Sequence, residues 1–298
     1  MTDHVTIAAA AYPLDWFDTF AEYETKITKW VTEATASGAQ LLVFPEYAAM
    51  ELASLGGKAA AADLEGALSE VAGHRPAADA LHARLAAQHG VYILGGSGPV
   101  FTGNRPVNRA SLFGPTGLLG HQDKQIMVRF ERDEWDVVAG PGLALFDTPI
   151  GKIGITICYD SEFPLLSRRL AEAGAEILLA PSCTETWAGY NRVRVGAMAR
   201  ALENQCVAVQ APLVGLADWC AGCEENTGRA GIYGPPDRGW PAEGVLAEGT
   251  RDTPGWTYAT ISRQLITDTR KDGGVLNFLH WKEQDERLSV PLATIEAT

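Results

Sequence analysis

The chain has 298 residues, 46% hydrophobic and 20% charged, with 31 glycines, 16 prolines and five cysteines. A chain of this length buries a sizeable core without disulfides, so a disordered chain, a collagen-like repeat and a disulfide-stapled miniprotein are excluded. The net charge of −13 repels polyphosphate and argues against nucleic acid and anionic membranes as partners.

From the N-terminus, Val5 to Tyr12 is an apolar run that reads as a strand. It lacks a basic flank and is at the lower limit of length for a secretory signal, and no run of about 18 apolar residues follows elsewhere, so no membrane span is predicted. A helix-like stretch, Phe17 to Ser37, then leads through Gly38 to the strand Leu41-Leu-Val-Phe44. A second helix-like stretch, Arg75 to His89, precedes the short strand Val91 to Leu94, and a hairpin spans Asn108 to Gly120 around Gly-Pro-Thr-Gly. The same order then recurs. The strand Ile153 to Tyr159, the helix Phe163 to Ala173, the strand beginning at Ile177, the helix Tyr190 to Glu203 and the strand Cys206 to Val209 lead to a hairpin-like piece from Ala230 to Glu248. Gly38-Ala-Gln-Leu-Leu-Val-Phe-Pro45 is echoed by Gly174-Ala-Glu-Ile-Leu-Leu-Ala-Pro181, and both glycines stand where a helix ends. Two α/β halves with matching element order predict one pseudo-twofold domain of two face-to-face sheets with helices outside. Residues 282–298 are polar, lack period and read as a tail or arm.

Ligands of α/β sheets bind beyond the carboxyl ends of strands, which singles out three residues. Glu46 directly follows a buried strand, in a position that also suits a loop or helix-start carboxylate. Lys124 leaves the hairpin's second strand, where a solvated lysine would also fit. Cys158 lies between the apolar strand Ile153–Ile157 and the acidic turn Asp160-Ser161-Glu162-Phe163-Pro164. A cysteine there can be an inert core residue, but next to a helix N-terminus its thiol pKa is expected to fall, as a nucleophile requires. The five cysteines (Cys158, Cys183, Cys206, Cys220 and Cys223) are odd in number and irregularly spaced, which favours a reducing cytoplasm.

With Phe44-Pro45-Glu46, Lys124 after a strand, and Ile157-Cys158-Tyr159-Asp160 followed by Phe163-Pro164, in that order, the sequence resembles the nitrilase superfamily of carbon-nitrogen hydrolases. The similarity runs from about Val5 to about Trp281. It implies a four-layer α-β-β-α sandwich, with a carbon-nitrogen hydrolase domain over 1–281 and a C-terminal tail over 282–298. It also implies a Glu-Lys-Cys triad at Glu46, Lys124 and Cys158, and a homodimer or a multiple of it. Members often carry a second glutamate after the lysine; Glu131 suits that spacing, with Glu134 as the alternative.

The implied chemistry needs no metal or organic cofactor. Glu46 takes the Cys158 proton and the thiolate attacks an amide carbon. Lys124 and the backbone N–H of Tyr159 hold the oxyanion, and water cleaves the resulting thioester. Nitrilases typically place Trp-Glu after the nucleophile, whereas Tyr159-Asp160 stands here and favours amides. N-carbamoyl hydrolases tend to carry arginines where this chain has Ser161 and Glu162. Tyr47, Tyr159, Trp187 and Tyr190 are candidates to line the substrate pocket. The same triad would also serve a nitrilase, a carbamoyl hydrolase or an amide acyltransferase. A remoter alternative is a redox or zinc protein built on Cys220-Ala-Gly-Cys223, and a serine elbow at Gly95-Gly-Ser97-Gly lacks its final glycine.

Overall fold

The structure, a computed structural model, describes residues 3–296. Its first half opens with strand β1 (His4–Ala11) and helix α1 (Phe20–Ala36). Thr19 caps α1 and Glu22 returns the favour to the Thr19 N–H. Tyr23, Ile27, Val31 and Ala34 recur at helical spacing, so one face is buried. Strand β2 (Leu41–Val43) leads to a 3-10 segment, Ala48–Gly56, and a short helix α2 (Gly57–Ala61).

Helix α3 (Leu64–His89) is longer than the stretch expected from Arg75 onward. Asp63 caps it by accepting the Gly66 N–H at 2.7 Å. It passes through Pro76 because a buried face of Ala67, Leu68, Val71, Ala78, Leu81 and Leu85 holds it on both sides of the missing N–H donor. Strands β3 (Tyr92–Leu94), β4 (Gly98–Phe101), β5 (Pro106–Gly114) and β6 (Gly117–Asp123) complete the half, and helix α4 (Arg129–Asp133) follows.

The second half contains β7 (Leu145–Thr148), β8 (Gly151–Ile155), α5 (Pro164–Glu172), β9 (Ile177–Ser182), α6 (Trp187–Asn204) and β10 (Val207–Pro212). A two-strand flap, β11 (Gly215–Leu216) with β12 (Glu225–Asn226), precedes β13 (Gly231–Tyr233) and β14 (Val245–Glu248). Strand β15 (Gly255–Ser262) and helices α7 (Arg263–Asp272), α8 (Asn277–His280) and α9 (Glu283–Leu288) end the described chain. The terminal stretch therefore holds a short helix where no period was expected, and Leu288, Val290, Leu292 and Ile295 in it are exposed.

In the first sheet β15, β1, β2, β3 and β5 lie side by side, with β4 and β6 both pairing on β5; in the second the order is β7-β8-β9-β10-β13-β14. Each has three parallel strands (β1, β2, β3 and β8, β9, β10), an antiparallel hairpin on one side and an antiparallel strand on the other. The strand order thus repeats, as a pseudo-twofold requires.

Val5, Ile7, Ala9, Leu41 and Val43 of the first sheet meet Ile153, Ile155, Ile177, Leu179 and Val209 of the second in one buried cluster. The outer face of the first sheet packs on α1 and α3 through Leu42, Phe44 and Ile93. That of the second packs on α5 through Leu170 and Leu178, and on α6 through Ala197, Ala201 and Ala208. The layers are α-β-β-α.

Candidate active site

Four strand ends converge. Glu46 lies three residues beyond β2, Lys124 directly follows β6, Cys158 lies three residues beyond β8, and Cys183 directly follows β9. Glu46 Oε1 accepts from Lys124 Nζ at 2.8 Å and from Asn108 Nδ2 at 3.0 Å, while Oε2 accepts the backbone N–H of Cys183 at 2.9 Å. Lys124 Nζ also donates to Glu131 Oε2 at 2.6 Å. Glu131 in turn accepts the Tyr47 hydroxyl at 2.7 Å and the Val128 N–H at 2.9 Å. Glu131 is thus the second glutamate beside Lys124, and Glu134 lies exposed on the surface.

Glu46 and Lys124 are each 1% exposed, Glu131 2% and Cys158 5%, so solvent hardly screens these charges. Cys158 has φ of 49° and Tyr47 φ of 57°, left-handed conformations that side chains rarely adopt. Such strain persists where surrounding contacts over-determine it. Here the five-residue 3-10 turn Cys158–Glu162 is pinned from within by Ser161 Oγ, which donates to the Cys158 carbonyl at 2.6 Å. It is pinned from outside by Asp160, whose carboxylate accepts the N–H groups of Gln125 (3.1 Å) and Ile126 (2.8 Å), immediately after Lys124.

One ammonium faces two carboxylates, so a thiolate would add a second uncompensated negative charge. Burial, then the charge of Glu46, pushes the Cys158 thiol well above its ordinary pKa, against the pull of Lys124. This reverses the lowering expected from a helix N-terminus. The element there is one short 3-10 turn with little dipole, and burial outweighs it. Burial also raises Glu46, only partly offset by Lys124. Burial opposes the charge on Lys124, but Glu131 and Glu46 outweigh it and hold its pKa well above the ordinary value. The resting site is a neutral thiol beside a buried carboxylate that can take its proton.

The group forms the floor of a cleft of about 1170 Å³. Met127, Phe130, Trp135 and Phe163 supply apolar wall, and Glu162, Glu185, Arg192, Glu224 and Glu225 bring charge to its lining. Tyr47 and Tyr159 line it as expected. Trp187 and Tyr190 do not: they stack on each other with ring centroids 4.6 Å apart, Tyr190 wholly enclosed and Trp187 facing Arg251 at 4.2 Å. Helix α6 begins at Trp187 and turns its first aromatics away from the cleft. Glu162 stands 3.9 Å from Arg192.

Sequence reasoning missed Trp135 and Asn108. Trp135 follows Glu131 by one helical turn, and Asn108 lies beside Arg109 at the Lys124 end of the hairpin, where Lys124 N–H bonds its carbonyl at 2.9 Å. Those spacings were the available signals. Cys220 and Cys223 are buried behind the cleft, and no group of three or more metal-ligating side chains is found among the described residues.

The chain belongs to the carbon-nitrogen hydrolase family, which it matches over residues 6–271. It is 30% identical over 271 residues to the probable hydrolase YhcX of Bacillus subtilis (strain 168), covering 91% of this chain and 52% of that one. It is 29% identical over 189 residues to omega-amidase NIT2-B of Xenopus laevis, covering 60% of this chain and 64% of that protein. The chain therefore spans about half to just under two thirds of the length of these relatives. Among solved structures it superposes on Saccharomyces cerevisiae Nit3, a nitrilase-superfamily member, with a TM-score of 0.71 at 20% identity, covering 91% of this chain and 94% of that one.

Proposed function

We propose that the protein hydrolyses a non-peptide amide through a thioester on Cys158, releasing a carboxylate and ammonia or an amine. The observation that carries this reading is the buried contact set joining Glu46, Lys124 and Glu131 beside the strained Cys158 at the floor of one cleft. As the amide carbon approaches, Glu46 takes the thiol proton, so no free thiolate has to persist in a site already carrying excess negative charge. The C–S bond forms as the carbonyl π bond breaks. The oxyanion gathers at the Lys124 ammonium and the N–H of Tyr159, fixed donors that need no reorganisation. Protonated Glu46 gives its proton to the leaving nitrogen, the C–N bond breaks, and water activated by Glu46 cleaves the thioester. Glu131 and Tyr47 act as positioning residues for Lys124.

The omega-amidase relatives support an amide over a nitrile, as does Tyr159-Asp160 after the proposed nucleophile. A second copy of the chain is the proposed partner, against the helices α5 and α6, where Leu165 (70%) and Val195 (63%) are exposed; sedimentation velocity is expected to give a dimer or a multiple. The test of the reaction is a panel of amides, nitriles and carbamoyl compounds scored by ammonia release. Wild type is expected to act on an amide and Cys158→Ala to lose activity with its fold intact. Equal activity in both would overturn the reading.

A further inference from the structure

Beside the proposed triad lie three thiols that the mechanism does not use. Cys183 is partly buried, lines the cleft, and touches the proposed triad through its backbone: its N–H donates to Glu46 Oε2 at 2.9 Å, and its carbonyl lies 3.8 Å from Cys158 Sγ. Cys223 is 2% exposed, and the neighbouring Cys183 and Cys220 thiols, together with burial, push its own thiol well above the ordinary pKa. Asn226 ties the arrangement together. It takes the Cys183 Sγ on its Oδ1 at 3.3 Å and donates from Nδ2 to the Cys223 carbonyl at 2.8 Å. Cys220 closes a tight turn with Cys223 (3.0 Å, Cys223 N–H to Cys220 carbonyl) and has no exposure. Of the three cysteines, then, Cys183 lines the cleft and Cys223 is buried beside it, both held by Asn226.

We propose that Cys183 and Cys223 form a peroxide-responsive dithiol that slows the chemistry at Cys158 when oxidised. A small hydroperoxide entering the cleft is the oxidant. The Cys183 sulfur attacks its distal oxygen, the O–O bond breaks, and Cys183 becomes a sulfenic acid while an alcohol or water leaves with the thiol proton. The Cys223 sulfur then attacks the Cys183 sulfur. An S–S bond forms, the S–O bond breaks, and water leaves with the Cys223 proton. The two thiols lose two electrons and two protons in total, and the peroxide is reduced.

Cys183 reacts first because Cys223 and Cys220 are closed off. The Cys158 thiol, though in the cleft, is only 5% exposed, less than the partly buried Cys183. Drawing the Cys183 sulfur into a bond with Cys223 constrains the very residue whose N–H holds the base. A small displacement of Glu46 is enough to cost the reaction a large factor.

The dithiol itself does not depend on the amide reading; only its consequence for catalysis does. The experiment therefore uses readouts that need no substrate. The full chain is treated with hydrogen peroxide, alkylated without reduction, digested and mapped by mass spectrometry, and the rate of Cys158 alkylation by iodoacetamide is followed in parallel. A linked Cys183–Cys223 peptide is expected, with Cys158 alkylation slowed on the order of tenfold and both changes reversed by dithiothreitol. Cys223→Ser is expected to alkylate at the untreated wild-type rate, to give no linked peptide, and to leave Cys183 as a sulfenic acid that dimedone captures. Cys223→Ala replaces it if a hydroxyl at this buried position disturbs folding. A Cys220–Cys223 link alone, oxidation confined to Cys158, or a Cys183–Cys223 link without effect on Cys158 would overturn the proposal. Failure of every amide to release ammonia while the link still forms would overturn the hydrolase reading alone.

Discussion

Lys124 stands between two carboxylates, 2.8 Å from Glu46 and 2.6 Å from Glu131, with almost no solvent contact. Replacing it by Met leaves like charges facing each other in the interior, so Lys124→Met is expected to destabilise the fold by about 3–5 kcal/mol in denaturant titration. Cys158→Ala removes a neutral sulfur and is expected to cost far less; equal losses would contradict the charge assignment. At the same scale, Glu131→Gln weakens the hold on Lys124 and is expected to lower kcat at least about tenfold, whereas Glu134→Gln changes nothing measurable by steady-state kinetics. The spacing from Lys124 left these two glutamates open. What separates them is α4: its first turn aims Glu131 back at the Val128 N–H and at Lys124, and leaves Glu134 outside. That direction belongs to a backbone with no side-chain cap to announce it, so spacing alone could not show it. Likewise, Cys158 was legible as a candidate nucleophile from its place between a strand and an acidic turn, but its positive φ is held by the contacts of Ser161 and Asp160 and its raised pKa comes from tertiary burial, neither of which one strand's sequence encodes.

Among the elements, Asp160 joins the Cys158–Glu162 turn to the segment that follows Lys124. Burial pushes its carboxyl from 3.8 up to about 7, against the pull of Lys124 and of the Gln125 and Ile126 N–H groups. A pKa raised in the folded state means that Asp160's contribution to stability is fully present below its unfolded value and is lost as pH rises through about 7. Asp160→Asn cannot ionise, so the melting temperature of wild type is expected to fall relative to Asp160→Asn as pH increases from about 5 to about 8. A constant difference would remove Asp160 from the titrating groups. The flap between β11 and β12 makes a second element-scale contact. Gly222 has φ of +83°, and a Cβ there would lie 2.4 Å from the Trp135 ring. Gly222→Ala must therefore displace the cleft wall, with an expected loss of about 1–3 kcal/mol and a larger rise in KM than fall in kcat, measured on whichever amide the panel selects.

Across the whole molecule, the repeat of Gly38–Pro45 in Gly174–Pro181 made the paired halves readable, because β2 and β9 are buried on both faces and so carry continuous apolar runs. The outer strands β7 and β15 escaped that reading. Most of β15 is only half-buried, and its pairing with β1, from His4 with Ser262 to Ala11 with Gly255, joins opposite ends of the chain. No local pattern reports such a long-range partner. Closure of the first sheet by β15 thus comes from chain segments more than 240 residues apart, and the site at the strand ends depends on both halves being in place. Acylation of Cys158 is read out by quenching the protein in acid during turnover of an active amide and mapping the adduct by mass spectrometry. The expected result is the acyl mass on the peptide containing Cys158, accumulating further in Glu46→Gln if acylation still proceeds, and absent in Cys158→Ala. Turnover by wild type with an acyl group on another residue, or undiminished turnover in Cys158→Ala, would contradict the account.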